Sequence, residues 1–233
     1  MLDWHAEGGG PSRFLDLAGP AGSPLVVLLH GGWWRARHDL SLMVPLAEHL
    51  IARGWRVANV EFRRIDGDDG GWPTTLEDVL DALDLLTELG EGRPTLVGHS
   101  AGGYLALLAA TRRDVAGVVA LAPVTDLVAC AEAGLGEGAT PSFVGGSPGE
   151  VPDAYRAASP ITNLPVRAPV LVVQGDADVR VSAVHAERFV VAARAAGDVG
   201  ELVSLAGGDH FVVVDPSASV WRQVEAWMTR PGR

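Results

Sequence analysis

Lysine is absent from the 233-residue chain: all 18 basic residues are arginine. That excludes a Schiff-base lysine and the lysine of a phosphate-binding P-loop. The only cysteine is Cys130, so there is no intrachain disulfide and no thiolate cluster for zinc. Membrane-length apolar runs are missing as well; Leu25 to Leu29 is far too short to cross a bilayer. Met1 to Gly8 shows no basic region followed by an apolar stretch, so no secretory signal is read there and a cytoplasmic location is the expectation. Positive charge is scarce: 18 basic against 29 acidic residues gives −11. A surface this acidic repels phosphate backbones, which argues against nucleic acid as a partner.

What is present is globular in kind, with 48% hydrophobic and 20% charged residues. The length suits one domain over residues 1–233, large enough to hide about 70% of its unfolded surface. Leu25 to Leu29 reads as a strand buried on both faces, because it lacks polar alternation. Arg56 to Val60, Thr95 to Gly98, Gly117 to Leu121, Val170 to Gln174 and Glu201 to Leu205 read as further strands. Amphipathic helices lie between them. The clearest spans Thr75 to Leu89, with Leu76, Val79, Leu80, Leu83 and Leu86 on one face and Thr74 to Glu77 as a capping box. Val220, Val224 and Trp227 form a similar stripe near the C-terminus. This alternation predicts an α/β protein: a doubly wound, mostly parallel sheet with helices on both faces. Residues 125–165, rich in Gly, Pro, Ala and Ser, break the rhythm and are expected to form a short cap inserted after the Gly117–Leu121 strand.

In such a sheet, functional groups sit at the C-terminal ends of strands, and four motifs fall there. Gly98-His99-Ser100-Ala101-Gly102 follows one strand and opens an apolar helix. A serine on so tight a turn needs small neighbours two residues either side, and the helix it opens points its positive end at the hydroxyl. Chance alone would produce the motif about 0.2 times in a chain of this composition, so its strand-to-helix setting carries the weight. His30-Gly31-Gly32-Trp33-Trp34 follows the Leu25 strand; there the N–H groups of Gly32 and Trp33, with that of Ala101, are expected to form an oxyanion hole. Gly175-Asp176-Ala177-Asp178 follows a third strand and offers two carboxylates. Asp178 lies farther out and is favoured as the acid, while Asp176 suits a turn cap. Gly207-Gly208-Asp209-His210-Phe211 follows the last strand and supplies the base.

The other histidines are less suited. His38, His49 and His185 lie in stretches read as helical and solvated, and His5 belongs to the N-terminal segment. His30 and His99 sit inside the glycine motifs, where bracing is the more natural role. Ser100, Asp178 and His210 thus come in the chain order this fold requires. Asp66 to Gly70 with Glu77 imitates a calcium loop, but Gly70 fills a ligand position and Pro73 interrupts. The glycines at 8–10 lack the helix and lysine of a nucleotide loop. No metal and no organic cofactor is expected. Trp33, Trp34 and Trp72 sit on or near strand ends, and Trp34, Trp72 and Tyr104 are the expected substrate-pocket residues.

On these residues the chain resembles the α/β-hydrolase superfamily over nearly its full length. The His30-Gly31-Gly32-Trp33-Trp34 and Gly98 to Tyr104 segments are similar to the small kynurenine formamidase and carboxylesterase branch. Tyr104 departs from it, standing where formamidases often have histidine. The shortness of the segment before Leu25 suggests that one strand of a full eight-stranded hydrolase is missing. The resemblance implies a serine hydrolase of small carboxylic esters or activated amides such as N-formyl arylamines. Three rivals remain: a prolyl-oligopeptidase-type peptidase, although the chain has no room for a gating propeller; a lipase, although residues 125–165 are too polar for its lid; and a ligand-binding relative without chemistry, although no triad slot is vacant. The expected partner is a small-molecule substrate, with no nucleic acid and no membrane; a homodimer is left open. A histidine base must be neutral to act, so activity should fall below roughly pH 6–7.

Overall fold

The computed structural model describes residues 2–3, 13–67 and 69–230. His5, Gly8 to Gly10 and Asp68 lie outside the described residues. The six strands read from the sequence form at those places: β3 (Leu25–Leu29), β4 (Arg56–Val60), β5 (Thr95–His99), β6 (Gly117–Leu121), β7 (Val170–Gly175) and β8 (Gly200–Leu205). Two more precede them, β1 (Leu2–Asp3) and β2 (Phe14–Ala18), so the sheet has eight strands in the order β1-β2-β4-β3-β5-β6-β7-β8. The expectation of a missing N-terminal strand is therefore corrected. A five-residue segment with Asp16 at its centre carries too little apolar pattern to announce itself. It becomes a strand by pairing antiparallel to β4, with Leu15 opposite Val60 and fully buried. From β4 to β8 every pairing is parallel.

Parallel strands need crossovers, and these supply helices on both faces. Leu25, Val27 and Leu29 of β3 point into one core with α2 (Thr74–Glu88), α3 (Ala101–Ala110) and α7 (Ala183–Ala195). Val26 and Leu28 point into the other, with α1 (Val44–Ala52) and α8 (Val220–Met228). All ten residues of α3 are buried, as a helix apolar on every side must be. Between β6 and β7 the chain runs through α4 (Leu127–Glu132), α5 (Leu135–Val144) and α6 (Pro152–Ala158), with a left-handed turn at Gly136, Glu137 and Gly138 inside α5. No described helix is long and apolar enough to cross a membrane.

The capping box at Thr74 to Glu77 is not formed. The helix starts at Thr74 with Pro73 at its cap and no side-chain cap bond. The Thr75 hydroxyl is used elsewhere, accepting from Gly71 N–H at 2.9 Å and donating to the Arg63 carbonyl at 2.7 Å, which ties down the loop after β4.

The approach of α3 to β3 depends on glycine. A Cβ at Gly102 would lie 2.1 Å from the Leu29 carbonyl oxygen and 2.5 Å from that of His30, both backbone atoms that cannot swing aside. Gly102→Ala is expected to cost about 2–3 kcal/mol, lowering Tm by roughly 5–10 °C. Gly92→Ala, with open space at its Cβ, should leave Tm within about 2 °C. Equal melting of the two variants would contradict this account of the packing.

Candidate active site

β5 ends at His99 and α3 begins at Ala101, so Ser100 occupies the one-residue elbow between them with φ 54° and ψ −113°. Such a backbone costs on the order of 1–3 kcal/mol and persists only when its surroundings impose it. Here they do: Ser100 N–H donates to the Leu121 carbonyl at 2.8 Å, and the Ser100 carbonyl accepts from Tyr104 N–H at 3.0 Å. Ser100 is 1% exposed, and among the described residues its hydroxyl makes no hydrogen bond.

Asp178 follows β7 and His210 follows β8, adjacent parallel strands whose ends bring the two side chains together. His210 Nδ1 donates to Asp178 Oδ2 at 2.6 Å, and Gln174 Nε2 donates to the same oxygen at 3.0 Å. Asp178 Oδ1 accepts the N–H groups of Arg180 at 2.7 Å and Val181 at 3.0 Å. Burial opposes ionisation of this carboxyl, but the His210 hydrogen bond, the Val181 and Arg180 N–H groups and the imidazole charge outweigh it and hold its pKa below the ordinary aspartate value. Asp176 is turned away, accepting Gly207 N–H at 2.6 Å. His99 links His210 to the elbow: its Nε2 donates to the His210 carbonyl at 3.0 Å, and the two rings lie 4.7 Å apart.

The His30 loop stands directly against the elbow. A Cβ at Gly31 would sit 3.2 Å from Ser100 Cβ and 2.7 Å from His99 Nδ1. Gly32, Trp33 and Trp34 all have positive φ, at 116°, 53° and 56°. Among the described residues the N–H groups of Gly32, Trp33 and Ala101 find no acceptor in the chain. His30 fastens the loop from beneath: Nε2 donates to Glu61 Oε1 at 3.0 Å, Nδ1 donates to the Gly31 carbonyl at 2.7 Å, and the ring stacks on Phe62. Glu61 also accepts from the N–H groups of Leu40 and Phe62.

Of the residues expected to line a pocket, Trp34 is 1% exposed and Tyr104 fully buried. Trp34 stacks on Phe143 of α5 at 4.0 Å and meets Tyr104 edge-on at 5.1 Å, so both pack as core behind the loop. Trp72 is half-buried with the Arg112 guanidinium 5.7 Å over its ring. Trp33 packs where Gly136 leaves room: a Cβ at Gly136 would be 2.3 Å from its ring. His38, expected on a helix, instead lies on the loop before α1, against Gly32; a Cβ there would come within 2.5 Å of His38 Cβ. Sequence reasoning passed over Gln174 and Glu61. Each is the polar residue that closes an apolar strand run, and that was the available signal.

His99 carries a consequence for stability. Burial, with the nearby His210 charge, lowers its pKa to about 3. Between that value and the unfolded one near 6.5, the unfolded chain holds a proton that the folded chain does not. Stability therefore falls as pH drops through this window, by about 1.4 kcal/mol per pH unit from this group. Lowered pKa values at His38 and His185, each chiefly from burial, act in the same direction. Urea midpoints at pH 7 and pH 5 should differ less in His99→Gln than in wild type; an equal difference would assign the effect to the other histidines.

A cleft of about 800 Å³ bounded by Trp55, Arg222 and Glu225 lies at the opposite end of the strands, away from Ser100, Asp178 and His210. The chain matches the model of the prolyl oligopeptidase family over residues 58–230, a span that includes Ser100, Asp178 and His210 but not the His30 loop. Its fold is similar to a truncated carbohydrate esterase from gut microbiota, with a TM-score of 0.80 at 18% identity over 94% of this chain and 90% of that one. It is also similar to puromycin hydrolase, with a TM-score of 0.71 at 28% identity, covering 90% of this chain and 35% of that one. Epoxide hydrolase 3 of Xenopus tropicalis is 34% identical over an alignment of 108 residues that covers 42% of this chain and 27% of that protein. The chain thus matches about a quarter of that relative's length.

Proposed function

The chain belongs to the prolyl oligopeptidase family and has the α/β-hydrolase fold, and from that premise we propose that it is a serine hydrolase cleaving small carboxylic esters or activated amides through an acyl-enzyme. The observation that carries the reading is the Asp178–His210 hydrogen bond, with the His210 carbonyl held by His99, the neighbour of a serine in an elbow of φ 54°. Asp178 keeps the proton on Nδ1, which leaves Nε2 as the lone pair that takes the Ser100 proton. Ser100 Oγ attacks the carbonyl carbon, and the carbonyl oxygen becomes an anion. The free N–H groups of Gly32, Trp33 and Ala101 receive that charge, each worth on the order of 10²–10³ in turnover. His210 then gives its proton to the leaving oxygen or nitrogen. Water, deprotonated in turn by His210, attacks the acyl-enzyme and frees Ser100.

A small substrate is favoured because Ser100 is 1% exposed. We take α4 to α6 as a short cap over the site: Gly136 rests on Trp33, and Glu137 is gripped by Arg35 and Arg37 of the His30 loop at 3.1 and 3.4 Å. Within this reading, an N-formyl arylamine substrate is supported by the His30-Gly31-Gly32-Trp33-Trp34 loop. A fluorophosphonate should modify Ser100, located by peptide mass. In a panel of p-nitrophenyl acetate, N-formylkynurenine and a prolyl nitroanilide, one of the first two should be turned over fastest. An unmodified protein inert to all three would defeat the proposal; preference for the nitroanilide would make it a peptidase.

A further inference from the structure

The chain is acidic, yet the rim of the proposed site is not. Arg180 follows the acid loop and places its guanidinium 5.1 Å over the ring of Phe211, the residue after the base. No carboxylate pairs with that guanidinium among the described residues: Asp178, two residues before it, is saturated by His210, Gln174 and two backbone N–H groups, one of them Arg180's own. Across the loop, His38 lies against Gly32. Its pKa is lowered by burial and then by Arg37, His30 and Arg180, with Asp39 alone opposing. The acidic groups close by are engaged: Asp39 caps Ser41 N–H at 2.9 Å, Glu137 holds Arg37, and Asp209 accepts the N–H groups of Phe211 and Val212, each at 2.9 Å. Beside Arg180 the surface is apolar, with Phe211 44% and Val179 94% exposed. An unpaired cation on an apolar rim, in a chain of net charge −11, makes a seat for one carboxylate attached to a flat or apolar group.

We propose that Arg180, with His38 opposite, selects substrates whose leaving group carries a carboxylate. The proposal rests on the hydrolase reading and adds a substrate class to it. The leaving-group side is indicated because Arg180 stands by His210, the residue that protonates the departing atom. A cation there also steers anionic substrates toward a protein that otherwise repels them.

The test compares 4-acetoxybenzoate with its uncharged methyl ester, which share acyl group and ring. The ratio of their kcat/KM values should fall about five- to tenfold in Arg180→Ala and further in Arg180→Glu, and should shrink in 0.5 M salt. Arg93→Ala removes an equal charge from the far end of β5, where Arg93 pairs with Asp114, and should leave the ratio unchanged. A ratio unmoved by Arg180→Ala, or moved as much by Arg93→Ala, overturns the proposal. If the folded protein cleaves neither ester, the hydrolase reading suffers and the seat is read by binding instead. Benzoate should then quench tryptophan fluorescence in wild type and bind several-fold more weakly to Arg180→Ala; no binding, or equal binding, overturns the seat as well.

Discussion

Ser100→Ala should lower kcat for p-nitrophenyl acetate by roughly 10⁴–10⁶ while changing KM little. In the proposed mechanism the hydroxyl it removes is the atom that bonds to the substrate, and it has no hydrogen bond within the described chain whose loss would disturb the fold. The elbow would survive, because the Ser100 N–H to Leu121 and Tyr104 N–H to Ser100 bonds belong to the backbone. Alanine at φ 54° is no more strained than serine, so urea midpoints should stay close to wild type. His210→Ala should lose a similar factor, and the double variant scarcely more, since nucleophile and base act as a unit. Residual hydrolysis would come from the oxyanion donors alone. Wild-type turnover by Ser100→Ala, checked for contaminating esterase by fluorophosphonate labelling, would remove the basis of the mechanism.

The second large effect separates two aspartates that stand two residues apart. In Asp178→Asn, one side-chain position faces the N–H groups of Arg180 and Val181, both donors, so the amide oxygen must turn there. That leaves the NH₂ facing His210 Nδ1 and Gln174 Nε2, which now also points a donor at it. To accept from the amide, His210 must move its proton to Nε2, the tautomer that cannot take a proton from serine. A loss of about 10³–10⁴ in kcat is expected. Asp176→Asn keeps a carbonyl oxygen for Gly207 N–H, and its activity should stay within about threefold of wild type. If the Asp176 variant is the one that loses activity, the acid has been misassigned. The lowered pKa of Asp178 adds a stability term of the same sign as that of His99: it is present above the unfolded aspartate value near 3.8 and is lost as pH falls below it. Acid should therefore destabilise the protein in two stages, the histidine stage first.

Much of the scaffold was legible because buried parallel strands leave a pattern that needs no partner to interpret. Leu25–Leu29 and Gly117–Leu121 are apolar at every position, and an all-apolar five-residue run between helical stretches has few other uses. The same reasoning failed for β2, whose Asp16 and short length make sense only once it lies beside β4. It failed for Thr74 to Glu77 because the capping signature counts residue types, whereas the Thr75 hydroxyl was claimed by Gly71 and Arg63 from a loop. At the site, Ser100, Asp178 and His210 could be named from strand-end position and order. The residues that hold them could not. Glu61 and Gln174 act through contacts 31 and 4 residues distant along the chain, and no local spacing reports those distances.

The sequence alone determined the alternation of strands and helices from β3 to β8, the placement of the motifs at strand ends and the candidate nucleophile, acid and base, because each depends on local pattern or on chain order. Only the tertiary structure decided that Asp178 and not Asp176 reaches His210, that Trp34 and Tyr104 pack as core, that His38 lies against Gly32 and that Arg180 lies over Phe211. Those are distances between loops that meet only when the sheet closes, and a carboxylate, a ring or a guanidinium takes its role from what it then touches.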